Sequence, residues 1–271
     1  MTSVAFLFVT CSRDPSRADV LERVIENMVS EFPTTLIENI TVFDNGSSEE
    51  RSVDLLRRTF KSVYRSEKNV GYWTAIDWWL SHMWSSRPDF TYVIESDLVH
   101  YGFSERFWRC VEFLRSNPTI GGMRLHEYDI VTRHLYDKGS PRPDSKTNIW
   151  QSHVNSVTRK RVTFEATDYE DIFITNFLAQ LCALNRYDLM VDVFAQLARR
   201  ESFLESDFQR LFHELSPKIA LLDKGLFTSL TGPGSKVAMS WPTTATRQLG
   251  YVPSREGVIY DPSEYNIVRL V

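Results

Sequence analysis

Two acidic residues, Glu95 and Asp97, lie one residue apart at the end of an apolar run that begins after Thr91. An apolar run of this length is typical of a buried strand, and ligands of open α/β sheets bind just beyond the carboxyl ends of the strands. Hard divalent cations prefer carboxylate oxygens and commonly take the remaining ligands from phosphate and water. Because side chains at positions i and i+2 leave a strand on the same face, the spacing predicts a metal site there.

The elements that would position these acids are predicted to alternate along the first hundred residues. Unbroken apolar stretches predict four strands, and apolar residues at helical spacing predict a helix between each pair; the strands are at 4–9, 40–43, 62–64 and 91–94. Strands that alternate with helices indicate a parallel sheet with right-handed crossovers. We therefore expect an α/β fold with a mostly parallel, Rossmann-like sheet flanked by helices.

The remaining sequence is less regular, and we expect one domain over residues 1–271 with a regular part at 1–102 and an irregular part at 103–271. In the second part the patterns predict helices at 107–114, 187–200 and 203–215, a strand at 121–125, a surface loop at 138–155, and an irregular C-terminal wrap from 231. We find no internal repeat.

Composition narrows the classes of function. The chain has 31 basic and 35 acidic residues, a formal net charge of −4, which argues against a general nucleic-acid-binding protein. Cys11, Cys110 and Cys182 are far apart, so we expect buried thiols in a reducing compartment. The N-terminus does not resemble a signal peptide, and the apolar run at 4–9 is too short to span a membrane, so a cytoplasmic protein is expected.

Two further segments carry polar residues after predicted strands. Asp44 follows the second strand and begins a turn that includes Gly46. This turn is consistent with a helix cap. It is also consistent with Asp44 accepting a hydrogen bond from a base or a ribose hydroxyl, as acids at strand ends do in doubly wound folds. Asn69 and Gly71 precede the third helix, where glycine permits a positive φ or a close backbone approach.

In this order the segments resemble glycosyltransferases of the GT-A fold, and especially the large inverting family-two group. Four segments carry the resemblance. They are a polar turn after the first strand (10–13), an Asp-Asn-Gly-Ser turn (44–47), an Asn-x-Gly helix start (69–71) and an acid-x-Asp strand end (95–97). The resemblance covers about residues 4–102. It implies a nucleotide-sugar-binding half at 1–102 and an acceptor-binding half at 103–271.

The resemblance also implies roles for individual residues in nucleotide-sugar binding. Thr10, Arg13 and Asp44 would line the pocket for the base and ribose, and Asn69 and Gly71 would approach the nucleotide-sugar. These assignments come from the resemblance and not from the spacing alone.

The implied cofactor is Mn²⁺ or Mg²⁺. Asp97 would bind the ion that bridges the diphosphate, and Glu95, which stands where the family has Asp, would contact a ribose hydroxyl, a metal-bound water or the metal. His100 lies three residues after Asp97, and His213 lies six after Asp207, so either histidine could complete the metal ligands.

A second pair of acids, Glu205 and Asp207, occupies the place of the family's catalytic acids. Acids near a helix N-terminus also complement the helix dipole, which is the alternative explanation. Leu204, Phe208 and Leu211 would bury one face of this helix and bring the acids to a cleft. We expect Asp207 to be the general base, with Glu205 as the second choice.

These observations predict a metal-dependent transferase that moves a sugar from a nucleoside-diphosphate donor to a hydroxyl acceptor; inversion rests on the resemblance alone. A nucleotidyltransferase is the first alternative, but the turn at 10–17 contains no glycine, whereas that class carries a glycine-rich loop after strand one. A catalytically silent nucleotide- or sugar-binding protein is the second alternative.

The acceptor remains open between a saccharide, a lipid-linked sugar, a protein, a small molecule and a hydroxymethylated base in DNA. The basic segment at 159–161 could contact phosphate of the donor or of a polyanionic acceptor. The loop at 232–235 could form a lid, with Lys236 or Arg247 on the diphosphate.

Overall fold

A central β-sheet extends through both halves of the chain. The computed structural model describes residues 2–125, 149–154, 159–176, 182–199, 202–223, 225–230, 244–246 and 266–271. In the first half the elements alternate as expected: β1 (Val4–Thr10), α1 (Pro15–Glu31), α2 (Thr34–Ile37), β2 (Ile40–Asp44), α3 (Glu50–Thr59), β3 (Ser62–Ser66), α4 (Tyr72–His82) and β4 (Phe90–Glu95).

The described residues of the second half form short strands and three longer helices. They are β5 (Leu98–His100), α5 (Phe103–Ser116), β6 (Gly122–Arg124), β7 (Ile149–Val154), β8 (Arg161–Ala166), β9 (Ile172–Thr175), β10 (Ala183–Arg186), α6 (Tyr187–Leu197), β11 (Ser202–Leu204), α7 (Glu205–Leu215), β12 (Ile219–Leu222), β13 (Phe227–Ser229), β14 (Thr244–Thr246) and β15 (Ile267–Arg269).

The large sheet has eleven strands in the order β15-β3-β2-β1-β4-β10-β6-β12-β9-β8-β7 within the described residues. Strands β3, β2, β1 and β4 are mutually parallel. Strand β10 is antiparallel to both β4 and β6, and β12 is parallel to β6. The expected α/β fold and the parallel first half are therefore confirmed, and the second half continues the same sheet with mostly antiparallel pairs.

Both faces of the parallel strands are buried, which explains why their sequences are continuously apolar. On one face Phe6, Phe8 and Tyr92 pack against α1 and α5; on the other, Leu7 and Val93 pack against α4 and α6. The rigid sheet thus fixes the positions of the residues that follow its strands.

The structure corrects several expected boundaries. Residues 149–154, which were expected to lie in a surface loop, form β7. The helix expected at 203–215 begins at Glu205, because residues 202–204 form β11, which pairs with β14. Part of the expected irregular C-terminal wrap is β15, which adds an antiparallel edge strand to β3. Among the described residues, no helix combines the length and apolar composition that crossing a membrane requires.

Candidate active site at the carboxyl edge of the parallel strands

The parallel register brings the polar residues of three strands to one edge of the sheet. Thr10 is paired with Asp44 across β1 and β2, and Val9 is paired with Glu95 across β1 and β4. The side chains that were predicted from separate segments are therefore neighbours at the ends of adjacent strands. This edge is where ligands of open α/β sheets bind.

Asp44 is a fully buried carboxylate that has both a hydrogen bond and an ion pair. The backbone N–H of Ser47 donates to its Oδ1 at 3.1 Å, and Nε of Arg65 lies 3.2 Å from its Oδ2. Burial raises the pKa of Asp44 above its ordinary value, although the hydrogen bond from Ser47 and the charge of Arg65 act in the opposite direction. The structure thus holds this acid where its charge is only partly compensated.

Two buried hydroxyl groups beside Asp44 have no hydrogen-bond partner among the described residues. They are Oγ1 of Thr10 and Oγ of Ser12. A buried polar group without a partner costs about 1–3 kcal/mol, so native structures usually satisfy such groups with protein, water or ligand. Arg13, the third residue expected in this pocket, is exposed at the same strand end.

A network of side-chain amides connects the loops that follow β1, β2 and β3. Nδ2 of Asn45 donates to Oδ1 of Asn69 at 3.3 Å, and Oδ1 of Asn45 accepts from the N–H of Val70 at 2.8 Å. Nδ2 of Asn69 contacts Sγ of Cys11 at 3.3 Å, while its Oδ1 also accepts from the N–H of Gly71 at 2.9 Å. Asn69 therefore uses both ends of its amide to hold the protein loop, which limits its capacity for direct contact with a donor.

Two glycines allow the loops to adopt their conformations. Gly46 has a φ of 72°, and a Cβ at this position would lie 2.5 Å from the carbonyl carbon of Lys68. Gly71 has a φ of 95° and immediately precedes α4, but the nearest atom to its Cβ position is Oγ1 of Thr74 at 3.9 Å. Gly46 is thus required by both conformation and space, whereas Gly71 is required by conformation.

Glu95 at the end of β4 is held by two hydrogen-bonding side chains. The thiol of Cys182 donates to Oε1 of Glu95 at 2.8 Å, and the Tyr72 hydroxyl is a further partner of this carboxylate. Burial raises the pKa of Glu95, the nearby charge of Asp97 raises it further, and the two hydrogen bonds lower it. Burial and the neighbouring Glu95 raise the pKa of Cys182, so this side chain is a protonated thiol.

The two carboxylates of Glu95 and Asp97 fit a divalent cation that takes its other ligands from outside the protein. The described residues contain no group of three or more His, Cys, Asp or Glu side chains arranged to hold a metal. The three-residue set of Glu95, Asp97 and His213 is therefore not formed. Two adjacent acids with mutual repulsion nevertheless match an ion that is bound mainly through diphosphate oxygens and water.

His100, the other suggested metal ligand, is a core residue. Its Nε2 lies 3.0 Å from the Tyr92 hydroxyl, and its ring packs against Phe32 and Phe103. Burial lowers the pKa of His100 to about 3, so the imidazole is neutral at physiological pH. Its packing, and not metal binding, explains its presence.

The first turn of α7 lies beside the first turn of α4. The ring of Phe208 is 5.7 Å from that of Trp73, between ring centroids. Glu205 is exposed and accepts a hydrogen bond from Gln209 at 3.3 Å, whereas Asp207 is paired with Arg210 at 2.5 Å. The charge of Glu205 contributes to the raised pKa of Glu95, so Glu205 lies within electrostatic range of the acidic strand end.

A cavity of about 300 Å³ lies far from this edge, between β8, β9 and the segment before β12; its lining includes Lys160, Glu165, Asn176 and Lys218. Because β12 runs parallel to β4 through the intervening strands, Lys218 lies at the edge where these strands begin. The basic segment at 159–161 is therefore at the opposite edge from Glu95. Lys236 and Arg247 lie outside the described residues.

Three residues of the site were not found by sequence reasoning. Arg65 is the second-to-last residue of the third parallel strand, and Tyr72 follows Gly71, so both had a positional signal that could have been used. Cys182 had none, because it comes close to Glu95 only through the antiparallel pairing of β10 with β4.

Comparisons with known proteins give matches in structure and not in sequence. No protein-family model matches, and no curated protein matches. GalNAc-T7, solved with UDP, GalNAc and Mn²⁺, superposes with a TM-score of 0.51 at 10% identity, over 84% of this chain and 44% of that chain. TarS from S. aureus, solved with UDP-GlcNAc, superposes with a TM-score of 0.50 at 15% identity, over 89% of this chain.

The chain has the GT-A fold. Both matched structures are glycosyltransferases of this fold. The chain spans 62% of the length of the TarS structure, and the identities are low, so the likeness establishes the architecture. In this GT-A fold, the edge that carries Asp44, Glu95 and Asp97 is formed by the parallel strands of the first half.

Proposed function

We propose that the protein is a metal-dependent glycosyltransferase that moves a sugar from a nucleoside-diphosphate donor to a hydroxyl acceptor with inversion. The observation that carries this proposal is the position of a polar, incompletely satisfied pocket beside two acids on the carboxyl edge of a GT-A sheet. The solved structures with this fold include complexes with UDP-GlcNAc and with UDP, GalNAc and Mn²⁺.

The nucleoside would bind between the ends of β1, β2 and β3. The unpartnered hydroxyls of Thr10 and Ser12 supply donors and acceptors, and Asp44 supplies a carboxylate oxygen that is not fully satisfied by Arg65. The exposed Arg13 is available at the rim of this pocket. Asn69 contributes indirectly, because it fixes the backbone of Gly71.

The diphosphate would lie next to β4. Asp97 would hold Mn²⁺ or Mg²⁺ there, with Glu95 beside it, and the bound ion would neutralise the charge that grows on the leaving diphosphate. The protein positions these acids by the end of β4 and by the backbone hydrogen bond from Leu230 N–H to the Asp97 carbonyl oxygen at 2.8 Å.

For the general base, the contacts favour Glu205 over the sequence-based first choice, Asp207. The Asp207 carboxylate is already engaged in an ion pair with Arg210 on the same helix. Glu205 is exposed and lies within electrostatic range of Glu95. In the proposed reaction Glu205 takes the proton of the acceptor hydroxyl, the acceptor oxygen bonds to the anomeric carbon, and the bond from that carbon to the diphosphate breaks.

Donor binding is tested by thermal unfolding with a panel of nucleoside-diphosphate sugars and Mn²⁺. A donor at a hundred times its dissociation constant should stabilise the protein by about 2.7 kcal/mol. Asp97→Asn should lose the Mn²⁺-dependent part of this effect. The control is Asp188→Asn, which removes the exposed ion pair between Asp188 on α6 and Arg87; this variant should respond like the wild type. A wild type that no donor stabilises, or an Asp97→Asn protein that responds normally, would contradict the proposal.

The base is tested by turnover of a donor that the first experiment identifies. We expect Glu205→Gln to reduce kcat by about 10²- to 10⁴-fold with donor affinity retained, because general-base catalysis typically contributes that factor. Asp207→Asn should reduce kcat much less. The opposite ranking would restore Asp207 as the base, and full activity of both variants would remove α7 from the mechanism.

A catalytically silent nucleotide-binding protein is the second candidate. It is favoured by one observation, the engagement of a Glu95 carboxylate oxygen by the Cys182 thiol. Stabilisation of the wild type by donor, without hydrolysis of the donor or transfer to any acceptor in a broad panel, would select this alternative.

A further inference from the structure

Three elements meet at the Glu95 carboxylate. Cys182 lies immediately before β10, Tyr72 is the first residue of α4, and Glu95 is the last residue of β4. The Cys182 Sγ is 2.8 Å from Glu95 Oε1 and 3.6 Å from the Tyr72 hydroxyl oxygen. The carboxylate, thiol and hydroxyl therefore form one connected cluster next to the proposed diphosphate position.

The thiol in this cluster is a hydrogen-bond donor and not a nucleophile. Sγ of Cys182 lies 2.8 Å from Oε1 of Glu95, and a carboxylate oxygen accepts hydrogen bonds, so the thiol is the donor of this contact. Cys182 is a free cysteine, so it forms no disulfide. The chemistry that remains is donation of the S–H hydrogen to Glu95.

The hydrogen bonds donated to Glu95 restrict the orientation of its side chain. Glu95 has one more methylene than the aspartate that stands at this position in the resembling family, and the negatively charged Asp97 lies only two residues further along the chain. Without donors, a flexible glutamate would turn away from the charge of Asp97. Two donors from separate elements, the Cys182 thiol and the Tyr72 hydroxyl, fix its carboxylate.

We infer that Cys182 and Tyr72 are positioning residues that hold Glu95 in the orientation that a donor ribose hydroxyl or a metal-bound water requires. This inference rests on the proposed function and adds two residues to its site. It also explains why a polar thiol stands at the start of the antiparallel strand that adjoins β4.

The test compares Cys182→Ala, Cys182→Ser and Tyr72→Phe with the wild type in donor dissociation constant, KM for the donor, kcat and melting temperature. Removing a hydrogen bond to a charged group should weaken donor binding about 10-fold in Cys182→Ala. Cys182→Ser keeps a donor and should stay within about three-fold of the wild type, since a hydroxyl replaces the thiol. Tyr72→Phe should raise the donor KM in the same direction as Cys182→Ala.

Cys110→Ala is the matched control. Cys110 is a buried free thiol on α5, in the hydrophobic core, so its removal should lower the melting temperature without changing the donor dissociation constant. If Cys182→Ala fails to fold, the serine and phenylalanine variants provide the comparison, and unchanged donor binding in Tyr72→Phe then overturns the inference.

The outcomes separate the inference from the function. A wild-type protein that binds no donor contradicts the proposed function itself. A wild type that binds donor, together with a Cys182→Ala protein of unchanged affinity and KM, overturns the positioning role alone. Equal loss in Cys182→Ala and Cys182→Ser, with loss of melting temperature to match, also overturns it, because packing would then explain the effect.

Discussion

At the scale of single residues, Asp44 is a buried charge at the candidate site that lowers the stability of the fold. A fully buried carboxylate is unfavourable unless it is paired, and Arg65 together with the Ser47 N–H compensates only part of this cost, because the pKa of Asp44 is still raised. Arg65 also donates to the Ser47 carbonyl oxygen at 2.6 Å, which keeps it in place. The retention of a costly charge at this strand end is consistent with a role in ligand binding.

Replacement of Asp44 by Asn should therefore stabilise the protein at neutral pH while it weakens donor binding. The folded state of the wild type holds the Asp44 proton to a higher pH than the unfolded state does, so its stability falls as pH rises through the window above the ordinary value of 3.8. The Asp44→Asn protein has no carboxyl group at this position, so its stability does not fall for this reason as the pH rises. Urea unfolding from about pH 4 to about pH 7 should show a stability difference that grows with pH in favour of the variant.

Asp54→Asn is the control for this prediction. Asp54 is exposed on α3 and pairs with Arg57 at 3.6 Å, so its replacement should have a small effect on stability. A wild type whose stability, relative to the Asp44→Asn protein, increases between those pH values would contradict the assigned direction. The variant should also bind the donor about 10-fold more weakly, because a hydrogen bond to a charged group is lost.

Sequence reasoning found residues at the ends of long strands and missed those brought in by later pairing. The positions of Asp44 and Asp97 at strand ends could be predicted, because an apolar run precedes each of them. Cys182 could not, because the four-residue strand after it has no readable periodicity. The structure also gives Asn69 a role in holding the loop, which a sequence pattern does not distinguish from a ligand contact.

At the scale of elements, the loops after β2 and β3 are packed directly against each other. A Cβ on Gly46 would lie 2.5–2.9 Å from backbone atoms of Lys68 and Asn69, and Oδ1 of Asn45 accepts a hydrogen bond from the Val70 N–H. The rigid backbone of these loops leads into Gly71 and the N-terminus of α4. The orientation of Tyr72, at that N-terminus, thus depends on contacts made two loops earlier in the chain.

Alanine substitution of Gly46 and Gly71 should separate two costs in stability, the steric clash of an added Cβ and the strain of a positive φ. Gly46→Ala should cost about 4 kcal/mol, because its Cβ would meet backbone atoms at 2.5–2.6 Å as well as requiring a positive φ. Gly71→Ala should cost about 2 kcal/mol, because only the backbone conformation is penalised. Denaturant unfolding of both variants measures this order, and an equal cost would indicate that the loops move apart without resistance.

The prediction of elements succeeded where strands were long and helices lay between them. Strands β1 to β4 were recognised by their apolar stretches, and helices α1, α3 and α4 by apolar residues at helical spacing. The three- and four-residue strands of the second half are too short for any period, and β7 contains polar residues that resemble a loop. These segments form strands because they pair with distant parts of the chain, and the local sequence does not encode that pairing.

At the scale of the whole molecule, helices α6 and α7 from the second half pack against α4 from the first half. The Tyr187 hydroxyl on α6 donates to the Leu80 carbonyl oxygen on α4 at 2.8 Å. Trp73 on α4 contacts Phe194 on α6 and Phe208 on α7, with ring centroids 5.9 and 5.7 Å apart. These contacts fix the distance from the proposed base to the proposed donor site.

Trp73→Ala should therefore reduce kcat more than donor affinity. Loss of the ring removes the packing that holds α7, and a displacement of about 1 Å between reacting groups can cost about a hundred-fold in rate. Stability should fall by about 2–3 kcal/mol, less than for a fully buried tryptophan, because Trp73 is half-buried. Trp73→Phe keeps an aromatic ring between the two helices and should retain most of the activity.

The control for this coupling is Trp108→Ala, which removes a 45% exposed tryptophan on α5. It should leave both kcat and the donor dissociation constant unchanged. Steady-state kinetics at saturating donor, combined with separate measurement of donor binding, distinguish the two effects. Equal decreases in kcat and affinity in Trp73→Ala would mean that the ring supports the donor loop instead of the position of α7, because Tyr72 and Gly71 directly precede it in the chain.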